Sequence, residues 1–121
     1  MTGSRRELGS YGENLAAEFL KRRNCNILAK NFKAGKNEID LIIEVDREIA
    51  FIEVKTRSAS FYGFPEYAVD RRKLKNIADC GHNWMNENTY RGFWRIDIIS
   101  VEIKRHNKTA VIKWFKNLNF N

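Results

Sequence analysis

The chain has few of the residues that mark secreted, membrane-bound or zinc-binding proteins. Two cysteines, Cys25 and Cys80, and two histidines, His82 and His106, are spread over 121 residues. None has a partner at the spacing of a zinc or redox motif, so we expect buried free thiols rather than a disulfide. No apolar run approaches the roughly 20 residues of a membrane-spanning helix. No apolar core of a secretory signal follows the N-terminus. The sequence therefore predicts a cytoplasmic protein with no membrane partner.

Proline is also scarce, and acidic residues are fewer than basic ones. Pro65 is the only proline, and no linker, repeat or low-complexity segment interrupts the chain. Its length suits one domain over residues 1–121. The 22 Lys and Arg against 15 Asp and Glu give a formal net charge of +7. A basic excess of this size suggests a polyanionic partner, most commonly nucleic acid; solvated lysines are the alternative.

Two segments rich in branched apolar residues, Glu38–Val45 and Glu48–Lys55, are predicted to form a β-hairpin. Asp46 and Arg47 between them suit a two-residue turn, and the turn sets the register of the two strands. Because side chains alternate along a strand, one face of the hairpin is predicted to be wholly apolar. That face comprises Ile39, Leu41, Ile43, Ala50, Ile52 and Val54.

The other face of this hairpin carries opposed acidic residues. Counting from the turn puts Asp40 opposite Glu53, with Lys55 two residues further along the face of Glu53. Two facing carboxylates repel each other, so we expect a bound cation to compensate. Hard oxygen ligands suit Mg²⁺ or Mn²⁺. The alternative is a surface cluster of ion pairs, in which Glu38 lies opposite Lys55.

The remaining pattern predicts helices before and after this hairpin and strands at both ends of the sheet. The predicted order is helix, three strands, helix, two strands. The segment 56–65 between the hairpin and the second helix is expected to be a loop that lines the site. The other predicted elements are a helix from Arg5 to about Arg23, a strand Cys25–Phe32, a helix from Pro65 or Glu66 to about Glu87, and strands Phe93–Lys104 and Thr109–Phe115.

The first helix contains two glycines and two candidate glutamates. Gly9 and Gly12 each cost about 1 kcal/mol relative to alanine within a helix, so we expect a close approach by another group there. Glu13 and Glu18 lie on opposite shoulders of the apolar stripe, and only one is expected to face a given site. A solvated glutamate fits either position equally well.

Basic residues near the site are candidates for phosphate contact, although solvated charge explains them about as well. Arg95 and Asp97 are expected to form an internal ion pair that supports the sheet. The phosphate-contact candidates are Arg57, Arg71, Arg72 and Lys73.

Six short segments form a combined pattern that covers nearly the whole chain. They are Gly9…Gly12-Glu13…Ala16, Glu38-Ile39-Asp40-Leu41-Ile42, Ile52-Glu53-Val54-Lys55-Thr56-Arg57, Tyr62-Gly63-Phe64-Pro65, Arg95-Ile96-Asp97 and Ile112-Lys113-Trp114-Phe115-Lys116-Asn117. The pattern resembles the YraN-like family, whose members are assigned as endonucleases. That family is grouped with the restriction-endonuclease-like nucleases of the PD-(D/E)XK type and is similar in layout to archaeal Holliday-junction resolvases.

The resemblance implies an α/β fold, a three-layer α/β/α sandwich around a mixed central sheet. It also implies an endonuclease dependent on Mg²⁺ or Mn²⁺ that hydrolyses DNA rather than RNA, including branched or otherwise structured DNA. Asp40 and Glu53 match the acidic metal ligands of the motif, and Lys55 matches its lysine. Lys55 would orient or help deprotonate the attacking water, or neutralise charge on the phosphate. Glu13 matches the helical glutamate of the resolvase-like branch and completes the catalytic set.

Two departures from the family pattern remove no chemistry. Ile39 stands where the superfamily motif has proline, and Asn37 stands where the family usually has glycine. Junction cleavage needs two symmetric sites, so a homodimer is one expectation. Trp94 and Trp114 suit either a dimer interface or the core. The alternative function is a nucleic-acid-binding module without turnover, and a third is a scaffold whose basic surface meets a protein partner.

Overall fold

The computed structural model describes residues 5–58, 70–104 and 106–118. The order of its elements is the predicted one: helix, three strands, helix, two strands. The elements are α1 (Arg5–Lys21), β1 (Asn26–Ala34), β2 (Asn37–Val45), β3 (Glu48–Ser58), α2 (Arg71–Glu87), β4 (Trp94–Lys104) and β5 (Thr109–Leu118).

The five strands form one mixed sheet in the order β1-β2-β3-β4-β5. Strands β3 and β4 are parallel and α2 lies between them in sequence, whereas the other neighbours are antiparallel. Helix α1 packs on one face of the sheet and α2 on the other. The three-layer α/β/α sandwich with a mixed central sheet is therefore confirmed. Neither helix in the described ranges is long and apolar enough to cross a membrane.

The predicted hairpin between β2 and β3 is confirmed, and its register is the predicted one as far as Leu41 and Ile52, whereas the predicted pairs Asp40–Glu53 and Glu38–Lys55 do not form. Val45 pairs with Glu48, and the pairing continues in step as far as Leu41 and Ile52. The turn residues Asp46 and Arg47 have φ values of 52° and 66°. Positive φ at both central residues is the geometry of a type I′ turn, whose twist matches that of the two strands.

The two faces of the sheet bury separate apolar cores. On the α1 side, Ala16, Ala17 and Leu20 pack against the sheet, and on the α2 side Ile77 and Trp84 do so. All predicted members of the apolar hairpin face except Ile39 lie in the α1 core. Ile39 instead lies in the α2 core, so the prediction was wrong at this residue. The strict alternation that placed it fails around Asp40, where β2 is no longer paired with β3.

Helix α2 begins later than predicted. Asp70 is its N-cap, with extended backbone angles (φ −89°, ψ −179°) and a side chain that accepts a 2.9 Å hydrogen bond from the Lys73 N–H. The helix therefore starts at Arg71 rather than at Pro65 or Glu66, because the cap satisfies a donor of its first turn. The segment 59–69, which holds most of the predicted loop and the Tyr62–Pro65 motif, lies outside the described residues.

Several further boundaries differ from the predictions, among them those of β3, β4 and β5. Residues 56–58 continue β3 instead of entering the loop, because each pairs with a residue of β4. Strand β4 begins at Trp94 rather than at Phe93, which is 82% exposed. Strand β5 runs to Leu118 rather than Phe115, and Leu118 pairs with Ile96 across a register shift. Cys25 and Cys80 are buried free thiols, as expected.

Candidate functional site

The sheet divides where β2 and β3 stop pairing with each other. Beyond Leu41 and Ile52, β2 stays paired with β1 and β3 stays paired with β4. Asp40 is the first residue of β2 past this point and Glu53 is the first of β3. We call this place the strand fork, defined by Asp40 and Glu53. A fork exposes backbone groups that a continuous ladder would use, which makes it a natural place for a site.

Asp40 is held at the strand fork by the backbone of the opposite strand. The Val54 N–H donates a 2.7 Å hydrogen bond to Oδ2 of Asp40. This bond takes the place of a backbone ladder bond and orients the carboxylate across the fork, beside Glu53. The predicted pairing of Asp40 with Glu53 is therefore not formed, and Asp40 instead contacts the backbone of Val54, the residue after Glu53.

Glu53 is almost completely buried and lies next to two ammonium groups. Its side chain is 9% exposed, and its Oε2 lies 3.4 Å from Nζ of Lys55 and 3.6 Å from Nζ of Lys73. Lys55 comes from the same face of β3, whereas Lys73 comes from the first turn of α2. A buried carboxylate requires such compensation, because burying an unpaired charge is costly.

Asp40 has a strongly perturbed pKa. Burial, followed by the negative charge of Glu53, raises the pKa of Asp40 from 3.8 to about 7, with smaller increases from Glu13 and Glu38. The hydrogen bond from Val54 lowers this pKa but does not outweigh the other effects. The surroundings of Asp40 therefore disfavour the ionised form of its carboxyl group. Perturbed carboxylates of this kind cluster at functional sites.

Helix α1 brings Glu13, and not Glu18, to the strand fork. Glu18 makes an exposed ion pair of 3.6 Å with Lys21, so it points into solvent. Glu13 is half-buried and accepts a 2.9 Å hydrogen bond from Nδ2 of Asn31. The same Nδ2 donates a 2.9 Å hydrogen bond to Oε2 of Glu38. Glu38 therefore does not form the alternative cross-strand pair with Lys55.

The close approach predicted for the glycines of α1 occurs at Gly12 and not at Gly9. A Cβ on Gly12 would overlap the side chain of Thr56 in β3, whereas a Cβ on Gly9 would meet nothing within 4 Å. Helix α1 can therefore lie directly against β3 next to Glu13. This contact explains how a helical glutamate reaches a site formed by two strands.

The basic candidates divide into two groups. Lys73 lies at the strand fork, and Arg57 is half-buried further along β3, past Lys55. Arg71 and Arg72 are exposed at the start of α2. All four therefore lie along β3 or in the first turn of α2, the two elements that supply Glu53 and its ammonium partners.

Arg95 and Asp97 form the predicted internal ion pair on β4, where Asp97 pairs with Ile52 of β3. Asp97 is fully buried, and Nε of Arg95 lies 3.1 Å from both of its carboxylate oxygens. Trp114 donates a 2.9 Å hydrogen bond from Nε1 to Asp97, and the Asn117 N–H donates one of 2.8 Å. Trp114, which is partly buried, therefore packs on the α1 core and stabilises the buried carboxylate of Asp97.

The donor set at the strand fork suits a hard divalent cation. Within the described ranges, no group of three or more His, Cys, Asp or Glu residues could by itself hold a metal ion. The fork offers the two carboxylates of Asp40 and Glu53, and the pKa of Asp40 is raised first by burial and second by the negative charge of Glu53. Mg²⁺ commonly binds through one or two carboxylates and keeps several waters, so the residues present fit this ion.

Three residues at the strand fork were not predicted as part of the acidic site: Asn31, Glu38 and Lys73. Glu38 precedes Asp40 by two residues in a strand, and this spacing could have indicated it. Asn31 lies in a different strand, and Lys73, predicted only as a phosphate contact, reaches the fork through α2. Nothing local in the sequence signals either of these contacts.

Sequence comparison finds relatives that span most of the chain. The sequence model of uncharacterised protein family UPF0102 matches residues 12–101, a range that contains Glu13, Asp40, Glu53 and Lys55. A UPF0102 protein of Chloroherpeton thalassium is 38% identical over 103 residues, covering 84% of this chain and 80% of the relative. One of Syntrophomonas wolfei is 40% identical over 101 residues, covering 82% and 87%. One of Clostridium perfringens is 37% identical over 113 residues, covering 93% of each chain.

Proposed function

The chain belongs to the UPF0102 family, and we propose that it is a Mg²⁺- or Mn²⁺-dependent endonuclease that hydrolyses phosphodiester bonds in DNA. The observation that supports this most directly is the strand fork itself. Asp40 and Glu53 bring two carboxylates together from neighbouring strands, and Lys55 keeps an ammonium group 3.4 Å from Glu53. Acidic groups that bind a cation beside a lysine are what phosphodiester hydrolysis needs.

Asp40 and Glu53 would hold the cation. When bound, it would polarise the scissile phosphate and favour ionisation of a water. The hydrogen bond from Val54 fixes the orientation of the Asp40 carboxylate before any ligand arrives. Burial of the Glu53 side chain excludes bulk water from its carboxylate and so strengthens its interaction with a cation.

Lys55 and Lys73 would stabilise negative charge on the reacting phosphate. Both ammonium groups lie next to Oε2 of Glu53, and their side chains remain 29% and 41% exposed. They can therefore reach a ligand as well as Glu53. Fixed positive groups beside a developing negative charge lower the free energy of the transition state. Glu13, brought to the fork by α1, would supply an outer carboxylate near Asp40.

A DNA partner is supported by charge and by fold. The formal net charge is +7, and the exposed Arg71 and Arg72 lie in the same helical turn as Lys73. The three-layer sandwich with its mixed sheet is the architecture implied by the resemblance to restriction-endonuclease-like nucleases. The resemblance of the sequence pattern to junction resolvases makes branched DNA one candidate substrate, and cleavage of a junction at two symmetric sites would require a homodimer.

The test is cleavage of linear, nicked, flapped and four-way DNA in the presence of Mg²⁺ or Mn²⁺. We expect the wild type to cleave at least one substrate, and Asp40→Asn and Lys55→Ala to lose at least 100-fold in rate, on the order of the loss of one transition-state contact. Glu18→Gln is the matched control, because Glu18 lies in the same helix as Glu13 but faces solvent. DNA binding without metal and without cleavage of any substrate would favour a binding module instead.

A further inference from the structure

Asn31 interrupts strand β1 with an unusual backbone conformation. Its φ is 51°, in the left-handed region that few residues other than glycine, asparagine and aspartate adopt readily. On either side of it, Lys30 pairs with Leu41 and Phe32 pairs with Ile39, but Asn31 and Asp40 are not paired. The interruption in β1 thus lies directly across from Asp40.

This conformation accompanies an amide that contacts two carboxylates from different elements. Nδ2 of Asn31 lies 2.9 Å from Oε1 of Glu13 in α1 and 2.9 Å from Oε2 of Glu38 in β2. The two acceptor oxygens therefore lie within twice that distance of each other. Like charges this close repel, so each needs a donor to stay in place.

Resting on the function proposed above, we infer that Asn31 is a positioning residue, which holds the Glu13 carboxylate of α1 at the strand fork for metal binding. Asn31 has a property that a basic residue in its place would lack. An amide donates hydrogen bonds without a positive charge, so it gathers carboxylates and leaves their negative charge available to a cation. Groups that orient metal-binding carboxylates commonly change metal affinity by 10- to 100-fold when removed.

The variant Asn31→Gly distinguishes the contribution of the side-chain amide from that of the backbone conformation. Glycine adopts a φ of 51° without strain, so the variant removes the amide and keeps the path of β1. We expect the dissociation constant for Mn²⁺, measured by calorimetry on the protein without DNA, to rise about 10-fold. The midpoint of thermal unfolding should stay close to that of the wild type. Asn26→Gly, an exposed position in the same strand, is the control and should leave Mn²⁺ affinity unchanged.

A double-mutant cycle with Glu13→Ala tests whether Asn31 acts through Glu13. We expect the double variant to bind Mn²⁺ no more weakly than Glu13→Ala alone, because the amide then has no helical carboxylate to hold. Additive losses would overturn the inference. Wild-type Mn²⁺ affinity in Asn31→Gly would overturn it while leaving the proposed nuclease intact. Absence of Mn²⁺ binding by the wild type would overturn both.

A measurement on the wild type covers the case in which Asn31→Gly does not fold. The side-chain amide resonances of Asn31 should shift during a titration with Mg²⁺ and saturate at the same concentration as the calorimetric signal. Resonances that do not move up to saturation would show that Asn31 is not coupled to the metal, and the inference would fall.

Discussion

The backbone N–H of Val54 donates its hydrogen bond to the side chain of Asp40 at a distance of 2.7 Å. One contact thereby ends the ladder between β2 and β3, orients a carboxylate and places it beside the buried Glu53. The cost is electrostatic, because burial and Glu53 together raise the pKa of Asp40 to about 7. The carboxylate of Asp40 should therefore lower the stability of the folded protein while it serves the proposed metal site.

Asp40→Asn should stabilise the metal-free protein above neutral pH. Asparagine keeps an oxygen that can accept the Val54 N–H and removes the charge that repels Glu53. At pH 8 we expect the free energy of unfolding to rise by up to about 4 kcal/mol, since the pKa of Asp40 is raised from 3.8 to about 7 and one unit of pKa corresponds to about 1.4 kcal/mol. Urea unfolding in the presence of EDTA measures the change. The gain should shrink as the pH falls and disappear below about pH 4, where Asp40 is protonated in both the folded and the unfolded chain. A loss of stability in Asp40→Asn at pH 8 would contradict this reading.

The wild type should lose stability as pH rises from about 4 to about 7. In that window the folded state holds a proton on Asp40, whose pKa is raised to about 7, whereas an unfolded aspartate has a pKa of about 3.9. The folded state therefore binds more protons, and its stabilisation is lost as Asp40 ionises. Comparison with Asp40→Asn across this window isolates the effect from other titrations.

Binding of Mn²⁺ should release a proton in the same range. Below pH 7 the cation must displace the proton of Asp40, so its affinity should increase up to 10-fold for each pH unit and level off above the pKa. Calorimetry in two buffers of different ionisation enthalpy counts the released protons. At pH 6 we expect close to one proton per ion, and at pH 8.5 close to none. Release of no proton at pH 6 would show that Asp40 is not a ligand.

The local part of the site could be predicted from sequence, whereas its long-range part could not. The hairpin and its register follow from the alternation of apolar residues and from a two-residue turn. The placement of Glu53 and Lys55 on one face of β3 could therefore be predicted. The exception is Ile39, which lies in the α2 core because the regular alternation of β2 fails around Asp40, where its pairing with β3 has ended.

The long-range contacts depend on packing between elements. The helical pattern alone did not show whether Glu13 or Glu18 faces the site. The close contact of α1 with β3 at Gly12 brings the neighbouring Glu13 to the strand fork. Asn31 is 18 residues from Glu13 in sequence, and the two meet only after β1 and α1 are in place. Lys73 depends on the start of α2, which the prediction placed about five residues too early because a cap at Asp70 was not recognised.

The two glycines of α1 should respond in opposite ways to alanine. Gly12→Ala places a methyl group against Thr56, so we expect a loss of about 1–3 kcal/mol in the free energy of unfolding. Gly9→Ala meets nothing within 4 Å and should gain up to about 1 kcal/mol from helix propensity. Gly12→Ala should also weaken Mn²⁺ binding, because α1 must shift and Glu13 moves with it. Equal effects of the two variants on stability would contradict the close packing.

Asp97 offers the opposite case to Asp40, since its carboxylate is buried with a full set of donors. Oδ1 accepts from Nε of Arg95 and the N–H of Asn117, and Oδ2 accepts from the same Nε and from Trp114. In Asp97→Asn one acceptor becomes an NH₂ group. Whichever way that amide is turned, one buried donor faces another donor. We therefore expect a loss of about 3–5 kcal/mol in the free energy of unfolding, the usual cost of breaking a buried ion pair.

The affinity for Mn²⁺ should also distinguish the Asp97→Asn variant from the Asp40→Asn variant. The hydrogen bonds of the Asp97 side chain run to Arg95, Trp114 and Asn117 and not to Asp40 or Glu53, so the folded fraction of Asp97→Asn should keep wild-type affinity for Mn²⁺. Urea unfolding gives the stability, and calorimetry below the unfolding transition gives the affinity. Asp40→Asn should give the reverse pattern, a more stable protein that does not bind Mn²⁺. If Asp97→Asn were stable but unable to bind Mn²⁺, the metal ligands would have to be sought on β4 instead of at Asp40 and Glu53.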